Sequence, residues 1–221
     1  MERAMARAGR SSTTSMTIDQ LRRAFAGSTE EPRRMAAMDL PEAVLKLLKP
    51  VLSAALKPSA VLVPILTDGE SPRLLLTRRS ESLRSHQGQI SFPGGRRDEG
   101  DASFAAAALR EAHEEIGLPP AAVEIIGYLD DYPTMTGYRI TPVVGLIAKP
   151  FTPTPHPGEV AEVLEVSLKE VLYSDRFRRT LISREGVQFP TYELYHGPHQ
   201  IWGATAAILW ELRLRVNQEM S

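Results

Sequence analysis

The order of apolar and polar positions divides the chain into helix-like and strand-like stretches. Ile18, Leu21 and Phe25 share one helical face, Thr17 with Gln20 forms a capping box ahead of them, and Gly27 can end the segment, so a short helix is predicted over 17–26. Val44, Leu48, Val51, Leu52 and Leu56 also recur at helical spacing; Pro41 suits a helix start and Pro50 predicts a kink. The period then changes. Apolar runs over 60–66 and 73–77 flank Asp68-Gly69 and read as a hairpin, although Pro64 is a poor strand residue. A short extended piece is expected over 89–92. The strongest helix pattern covers 102–116, with Asp101 or Ser103 as its cap, alanines in its middle and Gly117 just past its end.

Beyond Pro119-Pro120, strands are predicted over 123–129 and 139–148. Pro153, Pro155 and Pro157 then make 151–158 a stiff loop. A strand over 159–166 leads into a short helix through Leu172, which Ser167 and Glu170 can cap as a box. Runs over 177–183 and 187–194 flank Arg184-Glu185-Gly186 as a second hairpin. A closing helix is predicted over 201–216, with Trp202, Ala206, Leu209 and Leu212 along one side. There is no repeat and no long linker. Interleaved strands and helices without a strict βαβ rhythm predict one α/β domain with a mixed sheet over 17–221, after a flexible extension over 1–16.

Composition narrows the function classes. The 221 residues hold 26 Lys and Arg against 27 Asp and Glu, a net charge of −1, which excludes a global basic field for nucleic acid. Cysteine is absent, so there is no disulfide framework, thiolate metal site or cysteine nucleophile. Any bound metal then takes oxygen or imidazole ligands, which favours Mg²⁺ or Mn²⁺. Missing cysteines fit a reducing compartment, and a cytoplasmic location is the expectation. The stretch 194–210 lacks Asp, Glu, Lys and Arg but contains His196, Pro198, His199 and Gln200, so no membrane span is expected. The first 15 residues carry Arg3, Arg7 and Arg10 without the apolar core of a secretory signal; a flexible start and a mitochondrial-type presequence both stay open.

The informative chemistry lies between Leu75 and Leu118. On a helix, Glu111 precedes Glu114 by three residues and Glu115 by four, which clusters three carboxylates on the last turns. A lone Glu-Glu pair is ordinarily a solvated acidic face. Here three acids repel one another at the negative end of the helix dipole, and a divalent cation would reverse that penalty. Arg110 precedes Glu111 and stands i,i+4 to Glu114, placed to orient one or both carboxylates. Upstream, Phe92-Pro93-Gly94-Gly95 is a turn whose bare backbone can approach a phosphate or lend a carbonyl to a metal.

This combination resembles the box of the Nudix hydrolases, in which Gly95, Arg110, Glu111, Glu114, Glu115, Gly117 and Leu118 match. It departs from it in three ways: Asp101 replaces the first glutamate, eight residues rather than seven separate Asp101 from Arg110, and Ala112 stands where a bulky aliphatic is usual. Residues 75–95, LLTRRSESLRSHQGQISFPGG, resemble the signature of the coenzyme A pyrophosphatase subfamily, which also tends to carry a longer box with Asp at its centre. The resemblance implies a Nudix-type α/β/α sandwich with a mixed β-sheet. It also implies metal-dependent hydrolysis of the pyrophosphate of coenzyme A or its derivatives, giving 4′-phosphopantetheine (or its acyl form) and adenosine 3′,5′-bisphosphate. ADP-ribose, a dinucleotide, or a catalytically silent nucleotide-binding role are the alternatives.

It further implies Arg110, Glu111, Glu114 and Glu115 as catalytic residues, and Glu111, Glu114, Glu115 and the Gly94 carbonyl as ligands of Mg²⁺ or Mn²⁺. Arg79, Arg84, Gln89, Gly94 and Gly95 are expected at the substrate, the arginines offering planar paired donors to phosphate. His86 and Gln89 either contact substrate or bond within their loop. Glu159 is either a distal loop carboxylate or a glutamate at a strand edge. The expected partner is a small molecule, CoA or acyl-CoA, with no nucleic acid and no membrane; a homodimer is left open. Split by position, the neutral total conceals two blocks: residues 73–97 carry +5 and residues 98–115 carry −5. These suit phosphates and divalent cations respectively.

Overall fold

Strands that carry long apolar runs are those buried on both faces, and three such strands build the centre of this protein. The computed structural model describes residues 16–31, 34–36, 42, 44, 46, 49, 55–83, 86–184 and 187–220. Residues 1–15 of the extension expected over 1–16, and the expected kink at Pro50, lie outside them; Met16, the last residue of that extension, packs against the core. β1 (Lys57–Leu66) and β2 (Arg73–Arg79) form the expected hairpin, pairing Ile65 with Leu74 and Leu66 with Arg73. β3 (Ile90–Ser91) pairs with β2, and β4 (Gly94–Arg96) with the start of β1. β5 (Glu124–Tyr128) and β6 (Tyr132–Pro133) both pair with β7 (Tyr138–Ile147), while β8 (Val160–Ser167) lies along β2. β7 runs parallel to β1 over ten residue pairs, whereas the other pairs of this sheet are antiparallel, so the sheet is mixed.

Alternation along these strands sends side chains into two cores. Val63, Ile65, Leu74, Leu76, Val144 and Leu146 join the core beneath α1 (Ile18–Phe25) and α4 (Gly203–Met220). Ala60, Leu62, Leu66, Leu75, Val143 and Ile147 join the opposite core, beneath α2 (Phe104–Ile116). Helices on both faces make the expected α/β/α sandwich. Ala107, Ala108 and Ala112 are fully buried in the second core. Three small side chains on one helical face let α2 settle close to β1, and Ala112 serves this packing where the box that it resembles usually has a bulkier residue.

Pro64 is tolerated for a local reason. Leu62 donates its N–H to the Pro93 carbonyl on the β4 side. Pro64, two residues on, therefore turns its missing donor to that same side. It falls there between the β4 pairing at 59–61 and the β2 pairing at 65–66.

Two expectations are corrected. Ser167 precedes α3 (Leu168–Tyr173) but makes no side-chain cap; Glu170 bonds Arg176 and His196 instead of closing a box. The closing helix also starts later than predicted. Gly197, with φ +55, and Pro198 turn the chain, and β11 (His199–Trp202) pairs back onto β10 (Val187–His196), itself paired with β9 (Arg178–Arg184). Trp202 is thus a strand residue at the surface, while Ala206, Leu209 and Leu212 do form the buried side of α4. The turn chemistry of Gly197-Pro198 overrode an apolar period that continued through it.

Candidate active site

Local capping determines where α2 begins and ends. The Ser103 side chain accepts the Ala106 N–H at 2.9 Å, and Gly117, at φ +70, turns its own N–H back onto the carbonyls of Ala112 and His113. The proline loop closes the same end: Thr154 donates its N–H to the Ile116 carbonyl and His156 to that of Glu115, both at 2.8 Å. The last turn, which carries the glutamates, is therefore held from two sides.

The three carboxylates have different surroundings. Glu115 is 4% exposed, Glu111 is half-buried and Glu114 faces solvent. Arg110 Nη1 donates to Glu111 Oε1 at 3.0 Å and to Glu114 Oε2 at 3.2 Å. Its Nη2 reaches the Arg96 carbonyl at 3.1 Å. Asp101 grips the same guanidinium through two parallel bonds of 3.0 Å, at Nε and Nη2. That fork holds the Asp101 carboxyl below the usual range, helped by the Asp98 N–H, and holds Arg110 firmly charged.

Glu115 is the exception. Its Oε2 is buried and meets no hydrogen-bond partner. Burial pushes its carboxyl up to about 8; the Arg79 charge and the Gly94 backbone N–H oppose that rise, while the Glu111 and Glu159 carboxylates add to it. Burial is also the main cause that raises Glu111. Glu159, exposed at the end of the proline loop, is thus close enough to act on both glutamates.

The glycines make room for this arrangement. A Cβ on Gly95 would lie 2.5 Å from the Glu111 carboxylate, and one on Gly94, at φ +155, would lie 2.4 Å from the Ala60 carbonyl oxygen. Gly94, Gly95 and Arg79 also line a cleft of about 840 Å³; Glu111 and Glu115 stand behind it, against Gly95 and Gly94. His86, in a left-handed conformation at φ +59, and Gln89 line the cleft and bond each other at 2.8 Å. Arg79 Nε is buried without a partner. Arg84 lies outside the described residues.

A divalent cation suits this donor set: hard carboxylate oxygens, one of them buried and unpartnered, beside a strand without side chains. Among the described residues, no three acidic or imidazole groups already enclose a cation; Glu111 and Glu114 are engaged by Arg110. The sequence pattern singled out the glutamates, Arg110 and the glycines. Asp101 stood out there as a candidate helix cap, a role Ser103 takes, and as a departure in type and spacing; the Arg96 carbonyl carried no signal, because a backbone oxygen has none.

Comparison with known proteins gives a consistent picture. A profile of the NUDIX domain matches residues 56–184. A relative from Enterobacter sp. (strain 638), named "Uncharacterized Nudix hydrolase NudL", is 41% identical over 177 residues, covering 79% of this chain and 92% of its own. Its namesake from Escherichia coli O1:K1 / APEC is 44% identical over 158 residues, 72% of this chain and 82% of its own. Among solved structures, the Nudix hydrolase RenU from M. smegmatis is 26% identical with a TM-score of 0.44, covering 52% of this chain and 73% of that one.

Proposed function

Because this chain belongs to the Nudix family, whose members act as pyrophosphatases on small-molecule nucleotides with divalent metal ions, we propose that its substrates are coenzyme A and its derivatives. The observation that carries this reading is where the CoA-type signature falls. Arg79, His86, Gln89, Phe92, Gly94 and Gly95 all belong to residues 75–95, and all line one cleft whose glycine strand backs onto Glu111 and Glu115. A nucleotide with a pyrophosphate and a further 3′-phosphate needs cations along its site, and Arg79 and Arg96 line this one.

In the proposed reaction, water attacks one phosphorus of the pyrophosphate and the bridging P–O bond breaks. The products are 4′-phosphopantetheine, or its acyl form, and adenosine 3′,5′-bisphosphate. Glu111, Glu114 and Glu115, with the Gly94 carbonyl, would hold Mg²⁺ or Mn²⁺. When bound, the cation neutralises the pyrophosphate and makes the attacking water more acidic. Arg110 fixes the directions of Glu111 and Glu114, and Asp101 fixes Arg110, so the carboxylates are ordered before substrate arrives. Gly94 and Gly95 admit the pyrophosphate close to the backbone, while Arg79 and Arg84 contact its oxygens. A carboxylate beside the water, from the glutamate cluster or Glu159, accepts the proton.

The test is product identification by mass spectrometry after reaction in ¹⁸O-water, using CoA, ADP-ribose and a dinucleotide with each metal. Adenosine 3′,5′-bisphosphate and 4′-phosphopantetheine, one of them carrying ¹⁸O, support the reading. Strong preference for another nucleotide, or binding of the whole panel without turnover, rejects it.

A further inference from the structure

The cleft has two walls of different origin and chemistry. One comes from the matched Nudix segment and holds the described ionisable side chains of the lining, Arg79, His86 and Arg96, apart from tyrosine hydroxyls. The opposite wall combines the strip 132–138 with residues from Ile182 onward, mostly beyond the family match at 184. Tyr132, Met135, Ile182, Phe189, Trp202 and Ile208 give it an apolar surface, and no described residue of it carries a formal charge.

Two of these side chains are unusually open. Met135 is 39% exposed and Trp202 is 37% exposed. Large apolar groups left in water at the mouth of a concave site are a standing cost that a ligand's apolar portion removes. The wall is also fixed in place. Thr205, buried in the first turn of α4, donates its hydroxyl to the Ile90 carbonyl at 3.0 Å, and Ile90-Ser91 leads directly into the Phe92–Gly95 turn. The apolar wall therefore has a set position relative to the phosphate-facing glycines.

Resting on the CoA reading above, we propose that this apolar wall is the subsite for the neutral arm of the substrate, and that the preferred substrates are acyl thioesters rather than free CoA. Charge decides the orientation. With Arg79 at the pyrophosphate, the 3′-phosphorylated adenosine end, which also requires a cation, lies towards Arg96, so the uncharged pantetheine arm extends along Trp202 and Met135. An acyl chain continues the apolar contact, whereas a free thiol ends it. Met and Trp accommodate chains of different length through flexible and polarizable surfaces.

The chain contains two tryptophans, Trp202 and Trp210. In the Trp210→Phe variant, Trp202 emission alone reports the subsite. Hexanoyl-pantetheine is expected to shift that emission to the blue, and adenosine 3′,5′-bisphosphate to leave it unmoved. The reverse pattern, or no response to hexanoyl-pantetheine at millimolar concentration, overturns the proposal. Kinetically, kcat/KM for hexanoyl-CoA should exceed that for CoA by about tenfold or more through KM, as a few buried methylenes require, and Trp202→Ala should abolish most of that ratio. A ratio near one in the native enzyme, or a ratio unchanged by Trp202→Ala, overturns it. Should no CoA compound be turned over, the CoA reading fails by itself, and the emission experiment still decides the subsite.

Discussion

Glu115, buried on α2, and Glu211, half-buried on α4, are helical glutamates whose carboxyls desolvation pushes up, to about 8 and about 7. Their surroundings differ. Glu211 accepts the Asp130 N–H at 2.8 Å. Neighbouring Asp131 is bonded by Thr141 at 2.6 Å and paired with Arg139, so acids in that region have their acceptors met. Glu115 keeps one oxygen unpartnered, is flanked by Glu111 and Glu159, and stands behind the glycine strand of an open cleft. Burial raises a carboxyl wherever it occurs. An unmet acceptor among like charges, beside a cleft, is what separates a candidate site from a structural acid.

The largest effect that would break this contrast is on rate. Glu115→Gln or Glu114→Gln is expected to lower kcat on the order of 10²–10⁴-fold with the thermal midpoint preserved, since a neutral amide adds no buried charge in the first case and removes only a surface charge in the second. Glu211→Gln should leave turnover near that of the native protein. Steady-state kinetics with differential scanning calorimetry on the variants decides it; near-normal turnover in both site variants removes the distinction. Gly94→Ala sharpens the role of the glycine strand. Its Cβ would meet backbone at Ala60 and Val61, and the φ of +155 strains any side chain, so a stability loss of about 2–4 kcal/mol is expected in denaturant titration. Gly95→Ala meets only the movable end of Glu111 and should cost activity more than stability.

Glu211 provides a pH signature. Its folded-state pKa, raised to about 7, exceeds the ordinary 4.5, so the folded state holds the extra proton between those values. Its contribution is fully present below about pH 4.5 and is lost as pH rises through 7, on the order of 1–3 kcal/mol. Glu211→Gln should flatten the stability profile over that window and exceed the native protein above pH 7, as urea unfolding at pH 5 and pH 8 will show. The smallest effect concerns the clamp. Asp101→Asn breaks the charged fork on Arg110, and about a tenfold loss of kcat/KM is expected, with metal titration curves shifted to higher concentration.

Much of this was legible because its causes are local. The i, i+3, i+4 spacing of Glu111, Glu114 and Glu115, the Ser103 cap and the Gly117 terminus need only the geometry of one helix. The apolar run at 60–66 and the largely apolar pattern at 139–148 announced strands. Where local signals competed, the reading failed: the period through Trp202 suggested helix, while Gly197-Pro198 made a hairpin. Ser167 and Glu170 had box spacing, but Glu170 found Arg176 and His196, partners that no short window contains.

The residue order alone therefore determined which side chains carry the chemistry and which helix presents them, because helical neighbours are set by sequence distance. It could not decide how that cluster divides. Tertiary packing buried Glu115 against Arg79 and Gly94, left Glu114 in solvent, placed the Asp101 fork on Arg110 and brought Glu159 to both inner glutamates. It also brought Thr205 to Ile90, 115 residues away, which positions the apolar wall of the cleft. Burial, desolvation and cleft shape depend on which distant surfaces meet, and only the assembled sheet and its two helix layers specify that.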